Sequence, residues 1–229
     1  MKFERTEVWG FEHALRGMRN PMNSWDRSDS HFNCNETFCN DCANGDKNPC
    51  GHHALYIGEN DLKLAQKLIR AGSEHRKFMR QIFVSVDITA PMFWFSEFDT
   101  YKIGTVANST SKMHKLTSQP ITIECFETDD MTDVAPDELI NRLEQLRIAY
   151  LETKDKRYWK ELLRWLPESW LQTRTVTLNY ENLYSMVRQR ANHKLNEWSG
   201  KDNPELPNFI SWVRSLPYAQ ELIFVDFKE

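Results

Sequence analysis

The stretch that decides the fold runs from Phe78 to Leu116 and reads FMRQIFVSVDITAPMFWFSEFDTYKIGTVANSTSKMHKL. Its first part alternates apolar and polar side chains, which is the pattern of a β-strand with one buried face. Ala90-Pro91 ends this predicted strand, because proline has no N–H to donate and biases the preceding residue away from helix. The apolar positions of the strand are Ile82, Val84, Val86, Ile88 and Ala90.

A cluster of aromatic residues follows the predicted strand in the segment MFWFSEF. So much aromatic surface is costly to leave in water, so it is buried either in the core or against a partner. A polar segment comes next, from Asp99 to His114, and is dense in hydroxyls, amides and cations. A strand, an aromatic anchor and a polar run together predict one wall of a pocket for a phosphorylated or polyhydroxyl ligand. The competing interpretation is an ordinary solvated loop.

Length and charge limit the class of protein. The chain has 229 residues, enough for one full core, with Lys+Arg 29 against Asp+Glu 33 and a net charge of −4. This acidic balance disfavours a general nucleic-acid coat. No apolar run approaches the roughly 18 residues that would span a bilayer, and Met1 to Gly10 has no signal-peptide pattern. We therefore expect one domain, or one domain with an insertion, over 1–229 in a cytoplasmic protein with reduced thiols.

A cysteine-rich segment at 31–53 carries the sharpest local motif. Four of the five cysteines lie there, spaced C-x4-C-x2-C-x7-C. Thiolates this close together in a cytoplasmic chain predict a metal rather than disulfides, and a full set of four thiolates indicates a structural zinc ion. His31, His52 and His53 are reserve ligands for the zinc. An iron–sulfur cluster is the alternative. The predicted zinc ligands are Cys34, Cys39, Cys42 and Cys50, whereas Cys125 is expected to belong to the core.

Elsewhere the patterns predict helices and strands of ordinary length. Five helices are expected: Phe11 to Met18, a helix that begins at a cap on Asn60 or Asp61 and ends at Ala71, a helix that begins at Pro136, Asp155 to Leu166, and one around Phe209 to Leu216. Strands are expected at Lys2 to Val8, Ile121 to Phe126, Leu171 to Leu178 and Leu222 to Val225. The arginines Arg16 and Arg19 lie beside Asn20 and Asn23, where they indicate either an anion site or a solvated turn.

The C-terminal helix that follows Asn179 reads NYENLYSMVRQRANHKLNEW. Asn179 is its expected N-cap. Steps of three and four residues place Arg190 and Lys194 on the same face as the apolar residues Leu183 and Val187. A guanidinium on a core-facing stripe needs a partner, which is either an internal carboxylate or an anionic ligand such as a phosphate.

From Glu59 to Leu116 the chain resembles the flavin-dependent thymidylate synthases, which methylate dUMP with a flavin and methylene-tetrahydrofolate. The matching features are a helix ending in AGSEH, the pattern F-x4-F-x4-I-T-AP-x-F, and a polar segment of the family's length. A second match runs from Leu166-Pro167 through Thr173-Arg174 to Asn179 and the helix around Arg190. The matches cover about half of the chain in the family's order.

The departures from the family fall on its signature, R-H-R-x7-S-x-R. The resemblance places the family's flavin-binding Arg-His-Arg at Thr100, Tyr101 and Lys102, and its later serine and arginine at Thr110 and Lys112. In the C-terminal helix two of the family's flavin-side residues become Glu181 and Ser185. The resemblance therefore implies a diverged member in which FAD binding is doubtful. The implied nucleotide-side residues are Arg190, Lys112, Thr110, Ser111, Arg164 and Asn108, and the possible cofactor-side residues are Thr100, Tyr101, Lys102 and Asn179.

Taken together, the sequence predicts an α+β fold like that of the thymidylate-synthase-complementing proteins, a sheet flanked by helices with the cysteine knuckle inserted near the N-terminus. The expected ligand is a pyrimidine nucleotide resembling dUMP, bound by a one-carbon transferase or by a non-catalytic protein that sequesters or senses the nucleotide. The resemblance also implies a homotetramer with sites between subunits. A zinc-braced nucleic-acid binder is the disfavoured third interpretation.

Overall fold

The computed structural model describes residues 1–31, 55–129, 131–132 and 136–227. The predicted zinc ligands Cys34, Cys39, Cys42 and Cys50 lie outside these residues. Within the described part of the chain, no group of three or more His, Cys, Asp or Glu side chains is arranged to hold a metal ion. None of the described helices combines the length and the apolar character that crossing a membrane requires.

The fold is a mixed α+β fold, as predicted, built on a four-stranded sheet. The strands are β1 (Lys2–Trp9), β2 (Phe83–Pro91), β3 (Val106–Ser109) and β4 (Leu171–Asn179), in the order β1-β2-β4-β3. The alternation predicted for β2 is confirmed, since its even-numbered residues from Val84 to Ala90 are buried. Strand β3 is an edge strand that pairs antiparallel with β4.

The helices follow the apolar periodicity in most places. The structure has α1 (Phe11–Arg19), α2 (Glu59–Ala71), α3 (Met92–Phe98), α4 (Lys112–Lys115), α5 (Asp137–Thr153), α6 (Lys156–Trp165), α7 (Tyr180–Arg190), α8 (Asn196–Ser199), α9 (Phe209–Arg214) and α10 (Ala219–Leu222). Asn179 is the N-cap of α7, as predicted, and forms a reciprocal capping box with Asn182.

The chain divides into two compact units. Unit 1 comprises Met1–Thr6, Ser85–Thr177 and Asn192–Trp212. One part of its core is aromatic: Trp94 of α3 stacks on Trp198 of α8 with ring centroids 4.4 Å apart, and both side chains are fully buried. The aromatic segment MFWFSEF therefore supplies core. A second cluster lies around α5 and α6, and Cys125 packs against it, as expected.

Unit 2 comprises Glu7–Val84, Leu178–Ala191 and Val213–Glu229. Tyr180 anchors its core, because the ring packs edge-on against Phe11 and the hydroxyl donates to the Pro217 carbonyl at 2.6 Å. Burial raises the pKa of the Tyr180 phenol, so this hydroxyl stays protonated and remains a donor. Arg188 of α7 donates to the carbonyls of Ile223 and Val225 at 2.8 Å each, which fastens the C-terminal segment to the helix.

Two of the predicted strands are wrong. Ile123–Cys125 is a turn of 3-10 helix, and the two buried residues that flank it, Ile121 and Phe126, are five positions apart, which does not fit the two-residue period of a strand. Leu222 to Val225 are all buried, so they lack the alternation that would orient a strand against one sheet face. There the carbonyl partners come from Arg188 instead of a neighbouring strand.

The long C-terminal helix is also shorter than predicted. It ends at Arg190, and a separate short helix begins at Asn196. Between them the His193 ring nitrogen Nδ1 accepts from the Leu195 backbone N–H at 3.1 Å, and this local bond competes with a helical one. Lys194 is consequently exposed and outside the helix, so the expectation that it shares the apolar face with Arg190 is wrong.

The residues that flank 32–54 are held together. His31 and Tyr56 form an isolated antiparallel bridge with both backbone bonds made, at 2.8 and 2.9 Å. Nearby, Arg19 donates to the Asp61 carboxylate at 2.5 Å, and both side chains are buried. Ser28 and Ser30 donate to the other Asp61 oxygen at 2.6 and 2.5 Å. Arg19 therefore neither lies in a solvated turn nor binds an external anion, because it is buried and pairs with the Asp61 carboxylate.

Candidate functional site

The polar segment of unit 1 is fixed onto the sheet at its centre. Thr110 follows the last residue of β3, and its backbone N–H donates to the Thr173 carbonyl of β4 at 2.9 Å. Ser111 then caps α4 by accepting from the His114 N–H at 3.3 Å, and Lys112 is the first residue of that helix. Asn108 lies opposite Thr175 on the outer edge of the sheet. The structure therefore brings Asn108, Thr110, Ser111 and Lys112 together on one short, backbone-anchored segment.

Arg174 of β4 links this segment to the end of α3. Its guanidinium donates to the Asp99 carboxylate at 2.6 Å and to the Gln172 amide oxygen at 2.9 Å. The Gln172 amide nitrogen donates in turn to the Thr110 carbonyl at 2.7 Å. A continuous chain of hydrogen bonds thus runs from Asp99 to Thr110, so the residues before and after the polar turn hold each other in register.

The Arg174 guanidinium is also packed, with its central carbon 3.9 Å from the centre of the Phe95 ring. Stacking and two charge-assisted bonds leave the side chain only 10% exposed. Sequence reasoning noted Arg174 only as a strand residue within a match. The available signal was its place on the strand, since it alternates in phase with the buried Val176 and Leu178 and a buried guanidinium requires a partner.

Pairs of hydroxyl groups link β2 and β4 in unit 1, on the face of the sheet opposite to Arg174. The hydroxyls of Ser85 and Thr177 lie 2.6 Å apart, and those of Thr89 and Thr173 lie 2.8 Å apart. Residue numbers rise along one strand as they fall along the other, so β2 and β4 are antiparallel. Between the two pairs, the Asp87 carboxylate accepts from Arg5 at 2.7 Å. Asn108 pairs with Thr175, and the Thr110 N–H donates to the Thr173 carbonyl. Both residues therefore lie beside the threonines of this hydroxyl-rich face.

Other predicted nucleotide residues lie elsewhere. Arg164 is on α6, where it donates to Glu161 at 2.8 Å in an exposed ion pair one helical turn away. Arg190 is the last residue of α7 and is half-buried in unit 2. Asn179, also in unit 2, is buried, and its side-chain oxygen is taken by the Asn182 N–H at 3.0 Å. The structure thus gives Asn179 a capping role and Arg164 a surface partner.

The predicted cofactor-side residues are engaged locally or exposed. The Thr100 hydroxyl donates to the Glu97 carbonyl at 2.7 Å, and the Tyr101 ring packs edge-on against Trp198. Lys102 is exposed. In unit 2, Glu181 accepts from Arg76 at 3.2 Å and lies 3.7 Å from Arg80, so its carboxylate is the shared anion of two arginines.

Comparison with known proteins places the fold. No protein-family model matches the chain, and no curated protein matches its sequence significantly. Two solved structures of flavin-dependent thymidylate synthase ThyX from Helicobacter pylori, each in complex with FAD and dUMP, align over nearly the whole of both chains. One covers 100% of this chain and 100% of its own with a TM-score of 0.63, and the other covers 99% and 98% with a TM-score of 0.65, each at 14% identity. The chain has the ThyX fold.

At 14% identity, sharing the ThyX fold does not imply an FAD site, because that site depends on the residues present. A dinucleotide carries a diphosphate, which needs arginine or lysine donors or free backbone N–H groups. Positions 100–102, where the resemblance implies the flavin contacts, offer it one lysine and no arginine. The residues at these positions do not fit a flavin diphosphate. The polar segment around Thr110 and Lys112 keeps a cation and several hydroxyls.

Proposed function

We propose that this chain is a diverged thymidylate-synthase-like protein that binds a pyrimidine nucleotide resembling dUMP. The observation that carries the proposal is the hydrogen-bonded chain Asp99–Arg174–Gln172–Thr110, which fixes the polar segment 108–112 before any ligand arrives. A preorganised set of hydroxyls and one cation loses little entropy when a phosphate binds. ThyX from Helicobacter pylori, which has the same fold, is seen in complex with dUMP in both structures, which supports the choice of nucleotide.

The proposal assigns the phosphate to Lys112, Thr110, Ser111, Asn108 and Arg164 of one subunit together with Arg190 of another subunit. Lys112 supplies a point charge, and the hydroxyls of Thr110 and Ser111 supply donors that rotate toward phosphate oxygens. Arg190 would add a planar fork that matches two phosphate oxygens. Assembly as a homotetramer belongs to the same proposal, because the resemblance implies sites built from more than one subunit.

The contacts of the cofactor-side residues bear on whether this function includes catalysis. Thr100 and Asn179 make local bonds, and Glu181 holds Arg76 and Arg80. A protein that kept its nucleotide site while losing its flavin contacts would bind without methylating. We therefore place a non-catalytic nucleotide-binding or sequestering protein alongside a one-carbon transferase with altered cofactor contacts. Freshly purified protein that is yellow would favour the transferase, and colourless protein would favour the binder.

Calorimetric titration with dUMP tests the nucleotide site. We expect wild-type protein to bind dUMP, and Arg190→Ala to weaken that binding by more than about tenfold, equivalent to about 1.4 kcal/mol. The physical reason is the loss of paired, charge-assisted bonds to the phosphate. Titration with FAD is expected to show weak or no binding, because positions 100–102 carry a single cation, Lys102.

Two controls sharpen that experiment. Deoxyuridine lacks the phosphate, so its affinity should be the same for wild-type protein and for Arg190→Ala. Arg157→Ala removes an arginine of the same type from the exposed surface, where it pairs with Asp155, and should leave dUMP binding unchanged. If Arg190→Ala instead lowers stability by several kcal/mol with no specific effect on dUMP, Arg190 belongs to an internal ion pair. Tight FAD binding without dUMP binding would reverse the assignment of the two halves of the site.

The metal is proposed separately. We propose that Cys34, Cys39, Cys42 and Cys50 bind one structural Zn²⁺ per chain, since four thiolates complete a tetrahedral shell. Elemental analysis of protein purified without added metal should give about one zinc per chain. Iron with inorganic sulfide would assign an iron–sulfur cluster instead. Disulfides between these cysteines, or protein free of metal, would contradict both assignments.

A further inference from the structure

A small cavity in unit 1 has none of the residues proposed for the nucleotide among its described lining residues. Its volume is about 270 Å³, and its walls come from α5, from the turn at Ile123–Cys125 with the residues after it, and from the chain around Pro167 and Ser169. Most of the wall is apolar, including Phe126 and Ile140. Two of the lining residues, Ile123 and Leu139, are 41% and 43% exposed, so part of the exposed lining is apolar.

Glu127 is the acidic group of this cavity. Its backbone N–H donates to the Ser169 carbonyl at 2.8 Å, which fixes the residue on the wall. One carboxylate oxygen, Oε1, accepts from the Asp129 backbone N–H at 2.5 Å. Among the residues that the structure describes, no donor satisfies the other oxygen, Oε2. A half-buried carboxylate with one oriented, open oxygen is the kind of polar anchor that small-molecule pockets use.

The charges around Glu127 are mainly negative. Burial raises the pKa of the Glu127 carboxyl, and the nearby carboxylates of Glu197 and Asp129 raise it further. The hydrogen bond from the Asp129 N–H and the amine of Met1 act in the opposite direction. Among the described residues that line the cavity there is no lysine, arginine or histidine. An added positive charge would offset the burial of Glu127, whereas an anion would be repelled.

We propose that this cavity binds a small hydrophobic monocation, an alkyl- or arylammonium compound whose apolar body contacts Phe126 and Ile140 while its ammonium group pairs with Glu127. The volume fits a single ring or a short branched chain, below the range of about 300–1,000 Å³ that is usual for drug-sized ligands. The charge pair forms at the edge of an apolar wall, where screening by water is weaker than at an open surface.

Phenethylammonium is the probe, and 2-phenylethanol is its matched neutral control. Calorimetry at pH 7 on the full chain should show phenethylammonium binding at least about tenfold more tightly than 2-phenylethanol, a difference of about 1.4 kcal/mol. Glu127→Gln keeps the shape and removes the charge, and it should bring the amine to the affinity of the alcohol. Glu124→Gln removes an exposed carboxylate from the same turn without touching the cavity wall, and should behave as wild type.

The pH dependence gives a second measurement on the unaltered protein. The amine keeps its charge throughout the acidic range, as lysine does, so only the carboxyl titrates. Affinity for phenethylammonium should therefore fall as pH is lowered through the raised pKa of Glu127, while affinity for 2-phenylethanol stays constant. Equal affinities for amine and alcohol at pH 7, an unchanged affinity in Glu127→Gln, or no binding of the amine at millimolar concentration would each overturn the proposal.

Discussion

Asp61→Ala is expected to lower the free energy of unfolding by about 3–5 kcal/mol, because the change leaves a buried guanidinium without its anion. Asp61 is fully buried in unit 2 and accepts from Arg19, Ser28 and Ser30. Removing the carboxylate strands the Arg19 charge together with two hydroxyl donors. Urea unfolding followed by circular dichroism measures the difference, provided that the slope of the transition is unchanged.

Asp226→Ala is the matched control. It breaks another arginine–aspartate pair of unit 2, with Arg70, but both of those side chains are more than half exposed. Exposed pairs are screened by water, so the change in stability should be far smaller than for Asp61→Ala. The double variant Arg19→Met with Asp61→Leu removes both charges and should recover most of the lost stability. Equal effects of the Asp61 and Asp226 changes would show that the buried pair contributes no more than a surface pair.

The same network makes stability depend on pH. Burial alone would raise the pKa of Asp61, but the bonds from Ser28, Ser30 and Arg19 outweigh it and hold the pKa below its ordinary value of 3.8. A carboxyl with a lowered folded-state pKa stabilises the protein above its unfolded-state pKa. That contribution is lost as pH falls below 3.8 and through the folded-state pKa.

Trp198→Ala is expected to lower the free energy of unfolding by a similar amount, about 3–5 kcal/mol, because it opens a large cavity in a packed core. Trp198 is fully buried in unit 1, where its ring stacks on Trp94 and meets Phe209 edge-on at 5.1 Å between centroids. Trp165→Ala is the control of identical chemistry, since Trp165 is 63% exposed. It should change stability by less than about 1 kcal/mol.

Light scattering on the folded variants separates the two interpretations of the aromatic segment. Because Trp94 and Trp198 pack within unit 1, the mass of the folded Trp198→Ala assembly should equal that of wild type, and so should that of Trp165→Ala. A folded variant of lower mass with an unchanged free energy of unfolding would instead assign this aromatic cluster to a contact between subunits. The mass of the wild-type protein tests the proposed tetramer directly.

The sequence predicted the elements whose periodicity is set by one face of burial. Strand β2, helices α5 and α6, strand β4 and the Asn179 cap all follow from residues close in sequence. The two wrong strands have different causes. Ile121 to Cys125 alternates apolar and polar residues in sequence, yet Ile123–Cys125 forms a turn of 3-10 helix. Leu222 to Val225 is an apolar run without alternation, and such a run does not distinguish a strand from a turn or a short helix. Side chains distant in sequence decided their conformation, as Arg188 does for the C-terminal segment.

For the candidate site, the sequence pattern identified the polar segment but not the distant residues that anchor it. Arg174 and Asp99 are 75 residues apart in sequence, and Arg19 and Asp61 are 42 apart. The need of each buried arginine for a partner is visible from the strand or helix pattern, but which carboxylate answers it is a tertiary choice. The positions of Arg164 and Lys194 show the same limit, since a match in spacing did not foresee a local ion pair or an early helix end.

The bridge between His31 and Tyr56 fixes where the segment 32–54 joins the described fold. Residues that exchange both backbone bonds in an antiparallel pair have Cα atoms about 5.5 Å apart, a gap that a two-residue turn also closes. Chain of almost any length can therefore be gained, lost or exchanged at this point without changing the spacing of α1 and α2. Such a junction allows a segment to be inserted or removed without changes in the rest of the fold, and it is a suitable site for grafting or excision in protein engineering.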